Sequence, residues 1–145
     1  MKWGCSILFV LFFTVSGWTQ VELSWDDLAE ISFREEYDET FGSRLQYPVF
    51  SKNIKRHEGK KVTIKGYFLD LDPLGEFFFL SENPLYACFF CGDAGVESVV
   101  ELDLEQIPDI GTDDLIQITG ILKLNTGEIS QPLYTLTKCS VKKVD

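Results

Sequence analysis

The chain has 145 residues, room for one domain. Thirteen Lys and Arg stand against 23 Asp and Glu, a formal charge of −10 that repels phosphate backbones and argues against a nucleic-acid partner. A single histidine, His57, leaves little scope for imidazole acid–base chemistry, so the four cysteines carry most of the chemical potential.

The N-terminus reads as a secretory signal peptide over residues 1–19. Lys2 precedes an unbroken apolar run from Ile7 to Phe13, and the small residues Ser16 and Gly17 follow. That run is too short to span a bilayer, so no transmembrane segment is expected once the leader is removed. Cys5 lies before the apolar run and is not a lipoprotein cysteine. Cleavage leaves about 125 residues, enough for a hydrophobic core. It removes Lys2 and takes the charge from −10 to −11. The expected location is therefore exported, in the periplasm or the medium. Cys88, Cys91 and Cys139 survive, an odd number that leaves at least one thiol outside any internal disulfide.

Residues 20–58 are predicted to form an N-terminal helical wrap. Ser24 caps a helix running to about Arg34, with Asp27 completing a capping box and Leu28 and Ile31 on one face. The acidic, aromatic stretch from Glu35 to Pro48 has no clean period and reads as an irregular cover over the core. A second short helix runs from Ser51 to His57 and stops at Gly59, which can supply a left-handed closing residue.

From residue 59 onward the period becomes two. Val62, Ile64, Gly66 and Phe68 alternate with Lys61, Thr63, Lys65 and Tyr67, the pattern of a half-buried strand. Asp72 to Gly75 is a turn, and Glu76 to Leu80 is a strand apolar on both faces. Ser81 to Val96 is a long loop holding Cys88 and Cys91. Further strands are expected over Val99–Leu104, around Ile116 to Leu124, and over Leu133–Val144, with a turn at Asn125-Thr126-Gly127. Five strands, with glycine inside the first and fourth, suggest strong coiling. The expected fold is mainly β, a five-stranded OB-like barrel over residues 59–145 preceded by one or two short helices. A small β-sandwich is the competing architecture.

The loop motif Cys88-Phe89-Phe90-Cys91-Gly92 is the candidate site. Two thiols three positions apart can grip one metal ion or close one small disulfide, and Gly92 can take the positive φ of a metal-binding knuckle. A zinc-type tetrahedral site needs two further ligands. Cys139 on the last strand is the third available thiol, although its strand position also suits a core residue. His57, Glu82 and Asp93 are other donors, with His57 expected to be solvent-exposed. Catalytic thiol–disulfide exchange would favour a helix N-terminus beside the pair, and glycines and a strand follow instead.

Gly59 to Tyr67, Phe77-Phe78-Phe79-Leu80, Ala87-Cys88 and the later Val-Glu-Leu strand together resemble an uncharacterised group of exported bacterial proteins. The resemblance spans roughly Tyr47 to Val144 and implies an OB-like barrel of unknown function. The Cys-Phe-Phe-Cys-Gly loop is similar to that of one subgroup, while other branches place a histidine and a proline run, which this chain lacks, after the position of Cys88. Linkage of some branches to metal-uptake genes implies a metal as one possible ligand. The functional expectation is an exported binding module, not an enzyme, with a zinc-type site at Cys88, Cys91 and Cys139. The alternative is a metal-free module that docks on an envelope protein and whose Cys88–Cys91 pair forms a structural or redox disulfide.

Overall fold

The computed structural model describes residues 21–72, 74, 77–106, 109–127 and 131–144. The expected leader, and parts of the expected turns at Pro73, Gly75 and Pro108, lie outside those residues.

Among the described residues, eight strands and two short α-helices follow one another: β1 (Val21–Glu22), α1 (Trp25–Ala29), β2 (Ile31–Asp38), β3 (Ser43–Phe50), α2 (Lys52–Lys55), β4 (Lys61–Asp70), β5 (Phe78–Ser81), β6 (Val99–Leu102), β7 (Leu115–Leu124) and β8 (Tyr134–Lys143). The main sheet has the order β1-β4-β5-β6-β8-β7, and β4 also pairs with β7. That last pairing runs from Lys61↔Ile121 to Tyr67↔Leu115 and closes the five strands β4 to β8 into a barrel. All barrel pairings are antiparallel except β6 with β8, which is parallel.

Alternation explains why these strands close as they do. Val62, Ile64 and Phe68 of β4 and Ile116, Ile118, Leu122 and Leu124 of β7 point inward and are buried, with Leu80, Val100, Leu102 and Leu136 filling the space between. Phe78 also faces in and stacks on Phe68 with ring centroids 5.7 Å apart. Two glycines allow the close approaches that coiling needs. A Cβ on Gly66 would lie 2.5 Å from the Ser81 carbonyl oxygen and 2.9 Å from the Trp25 ring. Gly120 sits opposite a bulge in β8, where Lys138 and Cys139 together face one residue and Lys138 takes φ 53°.

The N-terminal segment closes one end of the barrel. Ser24 and Asp27 form the expected capping box, with the Asp27 N–H donating to Ser24 Oγ at 3.2 Å and the Ser24 N–H donating to Asp27 Oδ2 at 2.9 Å. Leu28 and Ile54 are fully buried. The buried Tyr134 hydroxyl donates to the Leu28 carbonyl at 2.6 Å, and its ring packs on Phe50. Trp25 Nε1 donates to the Lys65 carbonyl at 2.8 Å, tying α1 to the first barrel strand.

The structure departs from the helical wrap at two places. The first helix ends at Ala29 instead of continuing to Arg34. The stretch Glu35–Pro48, expected to be irregular, belongs to an antiparallel hairpin of β2 and β3 in full register from Ile31↔Phe50 to Asp38↔Ser43. The turn is held by Asp38, whose carboxylate accepts the Thr40 and Phe41 N–H groups at 2.8 and 3.2 Å and the Tyr47 hydroxyl at 3.1 Å. The alternation was masked because both faces are largely exposed and mix charged with aromatic residues. The second helix is capped by Ser51 and covers Lys52–Lys55, and Gly59 takes the expected positive φ.

Candidate functional site

The cysteine loop bridges β5 and β6 through three short 3-10 turns, Leu85–Ala87, Phe89–Cys91 and Val96–Ser98. It is pinned at both sides. The Leu85 N–H donates to Asp113 Oδ1 at 2.7 Å, fixing the loop to the β6–β7 connection. The Ser98 hydroxyl donates to the Gly95 carbonyl at 2.6 Å, closing the final turn.

Within the motif, the Cys91 N–H donates to the Cys88 carbonyl at 3.1 Å and the Gly92 N–H to the Phe89 carbonyl at 2.9 Å. Gly92 takes φ 83°, the left-handed conformation expected of it. Cys88 is fully buried and Cys91 exposed, and both are free thiols. The Cys91 thiol donates to the Leu85 carbonyl at 2.8 Å. Its pKa is raised by desolvation first, then by hydrogen bonding to and charge repulsion from the neighbouring Cys88 thiol. The pair is therefore together, and Cys91 is held as a protonated donor.

Cys139 is elsewhere. It lies on β8 beside Gly120, half-buried, with its thiol donating to the Leu136 carbonyl at 3.1 Å. Burial pushes its pKa up to about 12, with the Asp103 carboxylate adding to the rise. The three cysteines expected to share a metal are thus not brought to one point. Among the described residues, no three His, Cys, Asp or Glu side chains converge as a metal-binding group. His57 is half-buried, not solvent-exposed as expected, in the turn after α2, where its backbone N–H donates to the Ile54 carbonyl at 2.9 Å. Its pKa is lowered, mainly by desolvation and then by Arg56 and Lys60.

The pair has a different consequence for the surface. Phe89 and Phe90 pack edge to face at 5.4 Å, and Phe90 packs on Phe79 of β5 at 4.7 Å. These rings, with Val96, Val99 and Pro132, line an apolar cavity of about 240 Å³. Phe90 remains 45% exposed at its mouth. Next to it lies a larger, more polar depression of about 490 Å³, whose lining includes Phe77, Glu101, Lys123, Asn125 and Thr135. Gln131 and Pro132 border both. The Asn125 side-chain amide donates to Gln131 Oε1 at 3.1 Å and to the Pro132 carbonyl at 3.3 Å, which holds this shared rim.

Sequence reasoning did not single out Phe79, Glu101, Lys123 or Gln131. A signal was present in β5, read as apolar on both faces, since its outward Phe79 needed a cover. Only the pairing of β5 with β6 and of β6 with β8 reveals what surrounds it.

No protein-family model matches the chain, and no curated protein matches it. The resemblance to exported bacterial proteins therefore rests on the residues quoted above. Among the described residues, no helix is long and apolar enough to cross a membrane.

Proposed function

We propose that the protein is an exported binding module built on an OB-like barrel, and that its functional end is the cysteine loop. The OB-like assignment is supported by the strand order, in which the first barrel strand pairs with the second and fourth and the third runs parallel to the fifth. The observation that carries the binding role is the apolar cavity walled by Phe89 and Phe90. A cavity lined by aromatic rings beside convergent polar groups is the kind of surface that takes a ligand or a partner's side chain. The chain's charge of −10 supports a partner other than nucleic acid.

In this reading Cys88 and Cys91 shape the wall. Cys88 anchors it from beneath, and the thiol contact sets where the two intervening rings lie. The metal-free form, docking on an envelope protein or small ligand, needs nothing further. A disulfide between the two sulfurs would lock the same wall. A zinc-type site is the second reading, favoured by the paired thiols and the left-handed Gly92. Two thiolates supply half a tetrahedral site, and the remaining ligands would come from water, a ligand or a second chain.

Three measurements on the secreted protein test the proposal together: elemental analysis, a free-thiol count, and titration with an apolar fluorescent dye. Dye binding that is lost in Phe90→Ser supports the cavity as the binding site. Stoichiometric zinc that disappears in Cys91→Ser would move the assignment to the second reading. A protein with neither dye binding nor metal would remove both.

A further inference from the structure

The register of the barrel sets four residues side by side on its outer face. Phe79 of β5 pairs with Glu101 of β6, Glu101 with Thr135 of β8, and Thr135 with Lys123 of β7. Direct partners in a ladder point to the same face, so this row runs across the strands from the aromatic cavity to the far side of the polar depression. The row is closed at its apolar end, because the next partner, Leu69 of β4, is fully buried. Its middle is ordered: the Thr135 hydroxyl donates to Glu101 Oε2 at 3.1 Å, which fixes the carboxylate. Lys123 is exposed at the other end and forms no ion pair among the described residues.

From these positions we infer that the groove takes an extended peptide segment. An apolar side chain enters the Phe79–Phe90 cavity, a cationic residue or N–H donor faces Glu101, and a carboxylate reaches Lys123. The inference rests on the reading of this face as a binding surface and names its ligand. Length decides against a single amino acid. Three strand spacings of about 4.8 Å make a track of about 14 Å from Phe79 to Lys123. An extended chain covers that distance in about four steps of roughly 3.5 Å, so the first, third and fifth side chains of a five-residue segment face the row. Charge decides the order, because the Glu101 carboxylate and the Lys123 ammonium stand at different places along the track. Gln131 and Pro132 line both depressions and would contact the segment where it passes from one to the other.

The test uses acetyl-Phe-Ala-Lys-Ala-Glu-amide, with its three reading side chains on one face, and its charge-swapped counterpart acetyl-Phe-Ala-Glu-Ala-Lys-amide, titrated calorimetrically into the full secreted protein at low and high salt. The wild type is expected to prefer the first peptide, by roughly fivefold per charge contact at low salt and less at high salt. The double variant Glu101→Lys/Lys123→Glu is expected to reverse that preference. Both positions are on the surface of formed strands, so circular dichroism and the apolar dye check that the variant is folded. Equal binding of the two peptides, or no reversal in the double variant, overturns the inference. So does tighter binding of a neutral oligosaccharide such as cellohexaose. Dye binding that depends on Phe90 without any peptide preference leaves the cavity standing and removes only the peptide. Loss of both removes the binding surface itself.

Discussion

Gly66 offers a direct test of how the N-terminal segment is fastened to the barrel. A methyl group there would meet the Ser81 carbonyl oxygen at 2.5 Å, Trp25 Cζ2 at 2.9 Å and Leu80 Cγ at 3.0 Å. Two of these neighbours cannot yield freely. The carbonyl belongs to the backbone of β5 at its last pairing with β4, and Leu80 is fully buried in the core. Trp25 is the part most able to move, and moving it breaks the 2.8 Å bond from its Nε1 to the Lys65 carbonyl. Overpacking of this kind costs about 1–3 kcal/mol. A lost hydrogen bond adds about 1 kcal/mol, for a total of roughly 2–4 kcal/mol in Gly66→Ala. With a slope typical of small domains, that moves the urea midpoint down by roughly 1–2 M. Gly111→Ala is the control, since no atom lies within 4 Å of its added methyl and its φ is not positive. Gly120→Ala, with contacts at 3.0–3.2 Å, should fall between the two. The assay is urea unfolding followed by far-UV circular dichroism. Equal midpoints for Gly66→Ala and Gly111→Ala would refute the packing argument.

Other consequences can be measured independently. Tyr134→Phe leaves the Leu28 carbonyl without its buried donor and should cost about 1–3 kcal/mol in the same unfolding assay, with no change in secondary structure. Ser24→Ala removes the capping box and should cost about 1 kcal/mol. Hydrogen bonds from Ser24, first from its backbone and then from its hydroxyl, lower the Asp27 pKa. The resulting stabilisation is present above the ordinary aspartate value and fades as pH falls through the lowered one, so acid unfolding of Asp27→Asn should be less pH-dependent there. His57 behaves with the same sign at higher pH. Its lowered pKa means that protonation favours the unfolded chain, so stability should decline as pH drops below about 6.5 and His57→Gln should flatten that decline. Alkylation of the native protein, read by mass spectrometry, should label exposed Cys91 ahead of buried Cys88 and half-buried Cys139, and faster as pH rises.

The hairpin of β2 and β3 shows where local pattern fails. Phe33, Glu35 and Tyr37 share one face and Leu45, Tyr47 and Val49 share the other, yet neither face is buried along its length. Tyr37 and Phe41 remain 65% and 68% exposed near its tip. A ribbon whose two sides see the same solvent carries no alternation of polarity, and only the Asp38 turn and Gly42 mark it in the sequence. The barrel strands were legible for the opposite reason, because one side of each meets the core.

The cysteine motif divides in the same way. Proximity of Cys88 to Cys91 and the left-handed Gly92 follow from three-residue spacing, a matter of local chain geometry that the residues dictate alone. That Cys139 lies apart, and that Phe79, Glu101, Thr135 and Lys123 form one row, depends on which distant strands become neighbours. Such neighbours are chosen by closure of the barrel, which pairs Lys61 with Ile121 and brings β8 between β6 and β7. Short-range periodicity specifies what each segment becomes, whereas contacts between segments arise only when a shared core must be enclosed from all sides.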